Sequence, residues 1–386
     1  MTNSIYLDNA STTCLDPRVK AVMDVYFTEV FGNPSSSNSF GVRAKTAVES
    51  SRNTVASVLK CLPEEVFFTS GGTESINLAL QGVAKALTGK GKHIITSKIE
   101  HPAVLNTCRY LETEGFEVTY LTPDKYGRIS PEQVENEIRK TTILVSIMYA
   151  NNEVGTINPI EQIGLVTRKY GIYLHTDACQ ASGFLDLDVT KLNVDLMTLN
   201  GSKIYGPKGT GVLFVRRGVE IKQLFYGGGQ EKGVRSGTEN VPGIVGFAKA
   251  LQLSYDEQDN EKLLRLRNKL SSAILNKIPS AVYNGHSNYR LPNNVNISFP
   301  GVEGEAIVQD LDKEGFSAST GSACTSKHIE PSHVITGLGK TYAEAVGSVR
   351  FTIGRQTTEE DINRLVDSLI EIISRFKGTI FITKKV

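Results

Sequence analysis

The chain has 386 residues, 40% hydrophobic and 22% charged, a length and composition that give a globular protein with a large core and room for two domains. Its 42 basic and 41 acidic side chains leave a formal net charge of +1, which excludes a long-range field drawing it to nucleic acid or an anionic membrane and favours a small-molecule partner. The five cysteines, Cys14, Cys61, Cys108, Cys179 and Cys324, are odd in number and lack CxxC or zinc-finger spacing, which excludes a disulfide scaffold. The opening MTNSIYLDNAST has neither a basic nor an apolar leader pattern, and no stretch approaches about 18 uninterrupted apolar residues. A soluble cytoplasmic protein is expected.

In chain order, short apolar and β-branched runs read as strands: EVFFTS, HIITSK, FEVTYL, TILVSIMY, IYLHTDA, DLMTLN and GVLFV. Between them, segments such as ESINLALQGVAKAL and PAVLNTCRYLETEG repeat apolar residues at three and four, the helical period. Strand and helix in alternation predict a mostly parallel sheet covered by helices. Near Leu251 the pattern changes to a long amphipathic helix, then NVNISF, a helical EGEAIVQDLDKEG, a polar loop, VRFTIG and a closing helix. The expected division is a large α/β domain over residues 15–255 and a small α+β domain formed by 1–14 and 256–386.

In an open α/β sheet, ligands bind outside the carboxyl ends of the strands, and five polar signals fall there. After EVFFTS, two glycines and Thr73 open a helix, an arrangement that offers free N–H groups to a phosphate. His101 follows HIITSKIE and precedes Pro102; Asn152 follows TILVSIMYA; Asp177, with Gln180 three residues on, ends IYLHTD. After DLMTLN comes GSKIYGPKGTG, in which Lys203 is nearer the strand end than Lys208. A lysine there can be desolvated and lose its proton, as Schiff-base chemistry requires. Each signal has an ordinary alternative: a strand-to-helix turn, a capping histidine, a loop amide, a helix N-cap, a surface lysine. Together they supply an amine for an aldehyde, a carboxylate for a pyridinium nitrogen, a phosphate cup and an aromatic ring, the parts needed by pyridoxal phosphate. A sixth feature is Cys324, set in SASTGSACTSKHIEPSH among serine, threonine and glycine, although cysteine is usually a buried residue.

In order, YLDNASTT, FGNPSS, FTSGGTES, EHPAVL, NNEVGTI, HTDACQ, GSKIYGPKG, RSGTENVPGIVG, GSACTS and VRFTIGR resemble the motifs of NifS/IscS-type cysteine desulfurases, in the group with an SGSACTS loop. The resemblance implies the pyridoxal-phosphate-dependent transferase fold of type I, an α/β fold with a mostly parallel seven-stranded sheet and a smaller α+β domain carrying the cysteine loop at about 317–333. It also implies that Lys203 carries the cofactor aldehyde, that Asp177 pairs with the pyridine nitrogen, and that Gln180 and Asn152 flank the ring hydroxyl. His101 would stack on the ring and move protons. Gly72 and Thr73 would hold the phosphate, Thr238 would reach it from the second subunit of a homodimer, and Arg350 would grip the carboxylate of substrate L-cysteine.

Cys324 is then the nucleophile that takes sulfur from cysteine, leaves alanine, and passes the sulfur to an acceptor protein in iron–sulfur cluster assembly, tRNA thiolation or DNA sulfur modification. The thiolate is its competent form, and a neighbouring base such as His101 would help it ionise. The chain departs from the family at Asn200 and Ser202, where a serine and a histidine are usual, and at Asn38, where a histidine is usual. Both Asn200 and Ser202 still donate hydrogen bonds toward the phosphate, while a cationic partner is gone. Two other readings stay open at this point: a selenocysteine lyase or other β-elimination enzyme, and a cofactor-poor binding homologue.

Overall fold

The computed structural model describes residues 4–255, 257–321 and 331–379. Its central sheet has seven strands: β2 (Val66–Thr69), β3 (His93–Ser97), β4 (Glu117–Leu121), β5 (Thr142–Ser146), β6 (Tyr173–Asp177), β7 (Leu196–Asn200) and β8 (Gly211–Val215), in the order β2-β8-β7-β6-β5-β3-β4. All seven coincide with the runs read from the sequence. Strands β4, β3, β5, β6 and β7 pair in parallel. β8 pairs antiparallel with both β7 and β2. The reason is connection length: only ten residues separate Asn200 from Gly211 and they form no crossover helix, and a parallel return needs a dozen or more.

Helices cover both faces, which is why β2, β3, β5 and β8 are buried along their whole length and read as unbroken apolar runs. One face packs Ile76, Leu80 and Val83 of the helix Gly72–Ala86. The other packs the helices Pro17–Thr28, Ser39–Leu59 and Val241–Leu253 through Met23, Val48, Val55 and Phe247.

A separate apolar cluster surrounds an antiparallel sheet of β9 (Val282–Tyr283), β10 (Asn294–Ser298) and β12 (Ser348–Thr352). The helices Glu257–Lys277, Gly304–Lys313 and Glu359–Thr379 contribute Leu266, Ile307 and Leu369 to it. Ile5 and Leu7 join this cluster from the amino terminus, because β1 (Ile5–Tyr6) pairs in parallel with β11 (Phe316–Ser317). Asp8 then bridges to Thr352. This short pairing swings the segment Asp8–Thr13 across the ends of the large sheet. No helix among the described residues is long and apolar enough to cross a membrane.

The glycine-rich stretch 226–238 is fixed by one buried ion pair. Glu231 and Lys232 take φ of +45° and +57°, a region side chains other than glycine avoid. The Glu231 carboxylate accepts from Arg52 Nη1 and Nη2 at 2.9 and 2.7 Å and from the Phe68 N–H at 2.9 Å. Breaking one member of such a pair leaves a charge buried without its partner and costs about 3 kcal/mol. Glu231→Gln is therefore expected to lower the midpoint of urea unfolding by an amount equivalent to that figure; an unchanged midpoint would show that the pair does not hold this stretch.

Candidate active site

The carboxyl ends of β2, β3, β5, β6 and β7 open on a cavity of about 590 Å³. At the end of β2, Gly71 takes φ of +149° and caps the helix Gly72–Ala86 without any side-chain hydrogen bond. A Cβ on Gly72 would lie 2.9 Å from Cys179 Sγ, so glycine is what allows the helix start to close on β6. Gly72 and Thr73 line the cavity with the dipole end that suits an anion.

The end of β3 supplies a buried acid and an imidazole. Glu100 is fully buried; one carboxyl oxygen accepts from Ser97 Oγ at 2.6 Å and the Met148 N–H at 3.1 Å, and the other has no partner among the described residues. Burial pushes its carboxyl up to about 8, so it is protonated at neutral pH. His101 caps the helix Pro102–Thr113, its Nδ1 accepting from the Ala103 N–H at 3.1 Å. Burial lowers its pKa, and the ring is neutral with its proton on Nε2.

Past β5, Asn151 ties the turn. Its amide donates to the Ile99 carbonyl at 2.9 Å, and its oxygen accepts from the N–H groups of Glu153 and Val154 at 2.8 and 3.0 Å. Asn152 reaches the cavity with a buried Oδ1 that has no partner among the described residues. At the end of β6 the Asp177 carboxylate accepts from the Cys179 N–H at 2.9 Å. Below it His175 spans three strands, held by Ser146 and Thr198 hydroxyls at 2.9 and 3.0 Å; burial lowers it to about 4, which keeps a second positive charge away. Gln180 lines the cavity, and its Nε2 donates to the Ala10 carbonyl at 2.9 Å.

Lys203 ends the turn after β7 and lines the cavity. Burial, opposed in part by the nearby Cys179, lowers its pKa, and its amine donates to the Ser11 carbonyl. Lys208 is exposed and outside the cavity. Asn200 lines the wall, and its Oδ1 accepts from the Ser202 N–H and Oγ, both at 3.2 Å. The Ser202 hydroxyl thus serves the turn, and its residue is not part of the lining. Arg350, on β12, closes the far side. Its guanidinium donates to the Asn152 carbonyl at 3.0 Å, Asp8 Oδ1 at 2.8 Å and Ser11 Oγ at 2.7 Å, while Nε is buried without a partner among the described residues.

Gly72, Thr73, His101, Asn152, Asp177, Gln180, Asn200, Lys203 and Arg350 therefore converge as the sequence reading expects. Thr238 is exposed and does not line the cavity of its own chain. Cys324 lies outside the described residues. Sequence reasoning passed over Asp8 and Ser11, which hold Arg350 and Lys203, and Glu100, Glu153 and His333. The signal for Asp8 and Ser11 was present as the polar run DNAST directly after an apolar pair.

The aminotransferase class-V profile matches residues 5–365. A cysteine desulfurase IscS of Methanosarcina thermophila is 49% identical over 384 residues, covering 99% of this chain and 95% of that protein. The chain belongs to the class-V aminotransferase family, among its cysteine desulfurases. Solved structures agree: a NifS-like protein superposes with a TM-score of 0.91 at 38% identity, covering 96% of this chain and 100% of the other. One described as SspA in complex with cysteine gives 0.83 at 37%, covering 92% and 100%. This chain is thus an enzyme, a cysteine desulfurase, with a NifS-like fold.

The protonated Glu100 of the desulfurase gives a pH-dependent stability. Its folded pKa, about 8, lies above the ordinary 4.5, so its contribution is fully present below about 4.5 and is lost as pH rises through about 8. Glu100→Gln keeps the accepting oxygen and removes the titration. The melting temperature of Glu100→Gln minus that of wild type should rise between about pH 5 and pH 9; a difference independent of pH would show that Glu100 is already ionised in the fold.

Proposed function

We propose that the enzyme removes sulfur from L-cysteine with pyridoxal phosphate held in this cavity, giving alanine and a persulfide on Cys324. The residues present fit that group. The helix start at Gly72 and Thr73, which has no side-chain cap, suits its phosphate, Asp177 its ring nitrogen, the Asn152 Oδ1 without a partner among the described residues a hydroxyl donor, and the Lys203 amine its aldehyde. When bound, the cofactor supplies an aldehyde for amine exchange and a cationic ring that withdraws electrons from the substrate α-carbon. The observation that carries the reading is Lys203, an amine whose pKa burial has lowered, in one cavity with Asp177 and His101.

Each residue then has a task. Lys203 Nζ, its pKa lowered by burial, accepts the proton of the substrate α-carbon. Asp177 would pair its carboxylate with the ring nitrogen. His101 presents Nε2–H as a donor. Asn200 and Ser202 hold each other and leave the Asn200 amide group as the donor nearest Gly72, in the place where the family usually has charge. Arg350 receives the substrate carboxylate through its planar fork, with Asp8 and Ser11 keeping that fork in place before substrate arrives. Cys324 thiolate attacks the substrate sulfur; the sulfur–carbon bond breaks as the sulfur–sulfur bond forms.

The active form in this reading is a cytoplasmic homodimer in which Thr238, exposed on its own chain, reaches the phosphate of the partner's site. An acceptor protein then takes the sulfur from Cys324 for iron–sulfur cluster assembly, tRNA thiolation or DNA sulfur modification. The large domain spans 15–255 and the small one 1–14 with 256–386, a division supported by the separate apolar cluster that includes Ile5 and Leu7.

Lys203→Ala should abolish alanine production while Lys208→Ala retains most of it. Borohydride reduction of the cofactor-loaded protein followed by peptide mapping gives an independent readout, since it fixes the cofactor to the lysine that holds it. Label on the Lys203 peptide is expected; label on Lys208 would overturn the assignment.

A further inference from the structure

A second cavity, of about 550 Å³, lies behind the turn that follows β5 and shares no lining residue with the catalytic one. Side chains of that turn face the two cavities by turns: Met148, Ala150 and Asn152 line the catalytic cavity, Tyr149, Ile157 and Asn158 the second. Asn158 closes the wall between them. Its Nδ2 donates to the Met148 carbonyl at 2.8 Å and its Oδ1 accepts from the Ile129 N–H at 2.9 Å.

Five charged side chains line this second cavity, Asp124, Arg128, Glu161, Asp186 and Lys191, and three of them are already engaged. Lys191 pairs with Asp186 at 3.3 Å, and Asp124 Oδ1 accepts from the N–H groups of Tyr126 and Arg128, both at 2.9 Å. Two charges of opposite sign are left over. The Arg128 guanidinium makes no hydrogen bond or ion pair among the described residues, and its Nε is buried without a partner among them. It lies 4.1 Å over the Tyr289 ring, which is held by the Ile157 N–H donating to the Tyr289 carbonyl at 2.9 Å. An aromatic face steadies a guanidinium and leaves its edge free to donate to an anion. Glu161 is in the first turn of the helix Ile160–Tyr170, a position that favours the carboxylate form, and no cation pairs with it among the described residues. The Tyr149 hydroxyl shares that end: burial, and after it Asp186 and Glu161, push it up to about 12, so it stays a neutral donor and acceptor. Between the two ends the wall is apolar, formed by Ile129, Pro131, Ile157, Pro159, Ile160 and Leu192.

We propose that this cavity is a second binding site, for a zwitterion of amino-acid type with an apolar side chain. Its carboxylate is received by Arg128, its ammonium by Glu161 with the Tyr149 hydroxyl, and its side chain by the isoleucine and proline wall. A simple anion would satisfy Arg128 and leave Glu161 facing a like charge; a simple cation would do the reverse. Only a ligand with both charges answers both groups, and an apolar body answers the wall. A free amino acid and a dipeptide share this chemistry and differ in how far apart they hold the charges. The proposal stands on the second cavity alone and is independent of the cofactor and the nucleophile of the first.

Isothermal titration of the purified enzyme with L-leucine and with glycyl-L-leucine tests this. At least one of them is expected to bind with a Kd of about 1 mM or tighter. Tighter binding of leucine assigns the site to a free amino acid, tighter binding of the dipeptide to a peptide. For whichever binds, the N-acetyl derivative, which lacks the ammonium, and the C-terminal amide, which lacks the carboxylate, should each bind about tenfold more weakly or worse. Arg128→Gln and Glu161→Gln should each weaken the parent ligand by a similar factor. Glu161→Gln removes a charge and no hydrogen bond among the described residues, so it keeps the test independent of any disturbance from the arginine change. Binding of neither probe overturns the proposal. So does a blocked derivative that binds as tightly as its parent, or an affinity that Arg128→Gln and Glu161→Gln leave unchanged. Binding that survives both of those changes and is abolished by Arg350→Gln belongs to the catalytic cavity, and it too overturns the proposal.

Discussion

Charge removed from water is the constraint on which this cavity depends. Lys203, Arg350, Asp177, Glu100 and Glu153 sit at strand ends or on strands, where continued burial is unavoidable, and each ionised form there needs a partner or must give way to the neutral one. The fold uses both solutions. Arg350 is partnered by Asp8 and by two oxygen acceptors, whereas Glu100 has one oxygen without a partner among the described residues and holds its proton. Lys203 lies between these cases: its amine has a carbonyl acceptor but no carboxylate in contact among the described residues, and burial lowers its pKa. An amine in that state is a nucleophile toward an aldehyde and a base toward a carbon acid.

The constraint also explains why the cavity needs both clusters of apolar packing. The large sheet delivers Lys203, Asp177, His101 and Asn152 by the simple rule that parallel strands end on one edge. It supplies no second cation opposite them. Arg350 comes from β12 of the small sheet, and the groups that orient it, Asp8 and Ser11, come from the first residues of the chain. Backbone hydrogen bonds from Thr13 to Ser202 and from Ile157 to Tyr289 join the two, while the pairing of Ile5 and Tyr6 with Phe316 and Ser317 and the Asp8 bridge to Thr352 lay the first residues beside β12. A pairing of two residues per strand thus accompanies the placement of Asp8 and Ser11 against the active-site arginine.

That pairing marks the limit of what the sequence discloses. The seven strands of the large sheet were legible because burial on both faces makes them continuous apolar runs, and the cavity residues were legible because each follows such a run. The helices Pro17–Thr28 and Ser39–Leu59 were not read. The first buries only Val19 and Met23 in twelve residues, and the second mixes Ser51 and Arg52 into its buried face, so neither shows a clean apolar stripe. Asp8 and Arg350 lie 342 positions apart, and two-residue strands leave no periodicity to connect them. Glu100 was in view beside His101, but its protonation depends on a burial that only the folded chain brings about. Ser202 reads in sequence as a phosphate donor, whereas in the fold its hydroxyl serves Asn200, a local contact that the family pattern does not carry.

The central claim is that this cavity holds pyridoxal phosphate on Lys203 and uses it on cysteine. The most direct test is the visible spectrum of the purified protein after incubation with pyridoxal phosphate and dialysis, followed by addition of L-cysteine with alanine and transferred sulfur quantified together. The account predicts a visible band that survives dialysis, changes when cysteine is added, and accompanies alanine and sulfur in equal amounts. A protein that stays colourless with added pyridoxal phosphate, or one that binds it and forms no alanine from cysteine, would contradict the account.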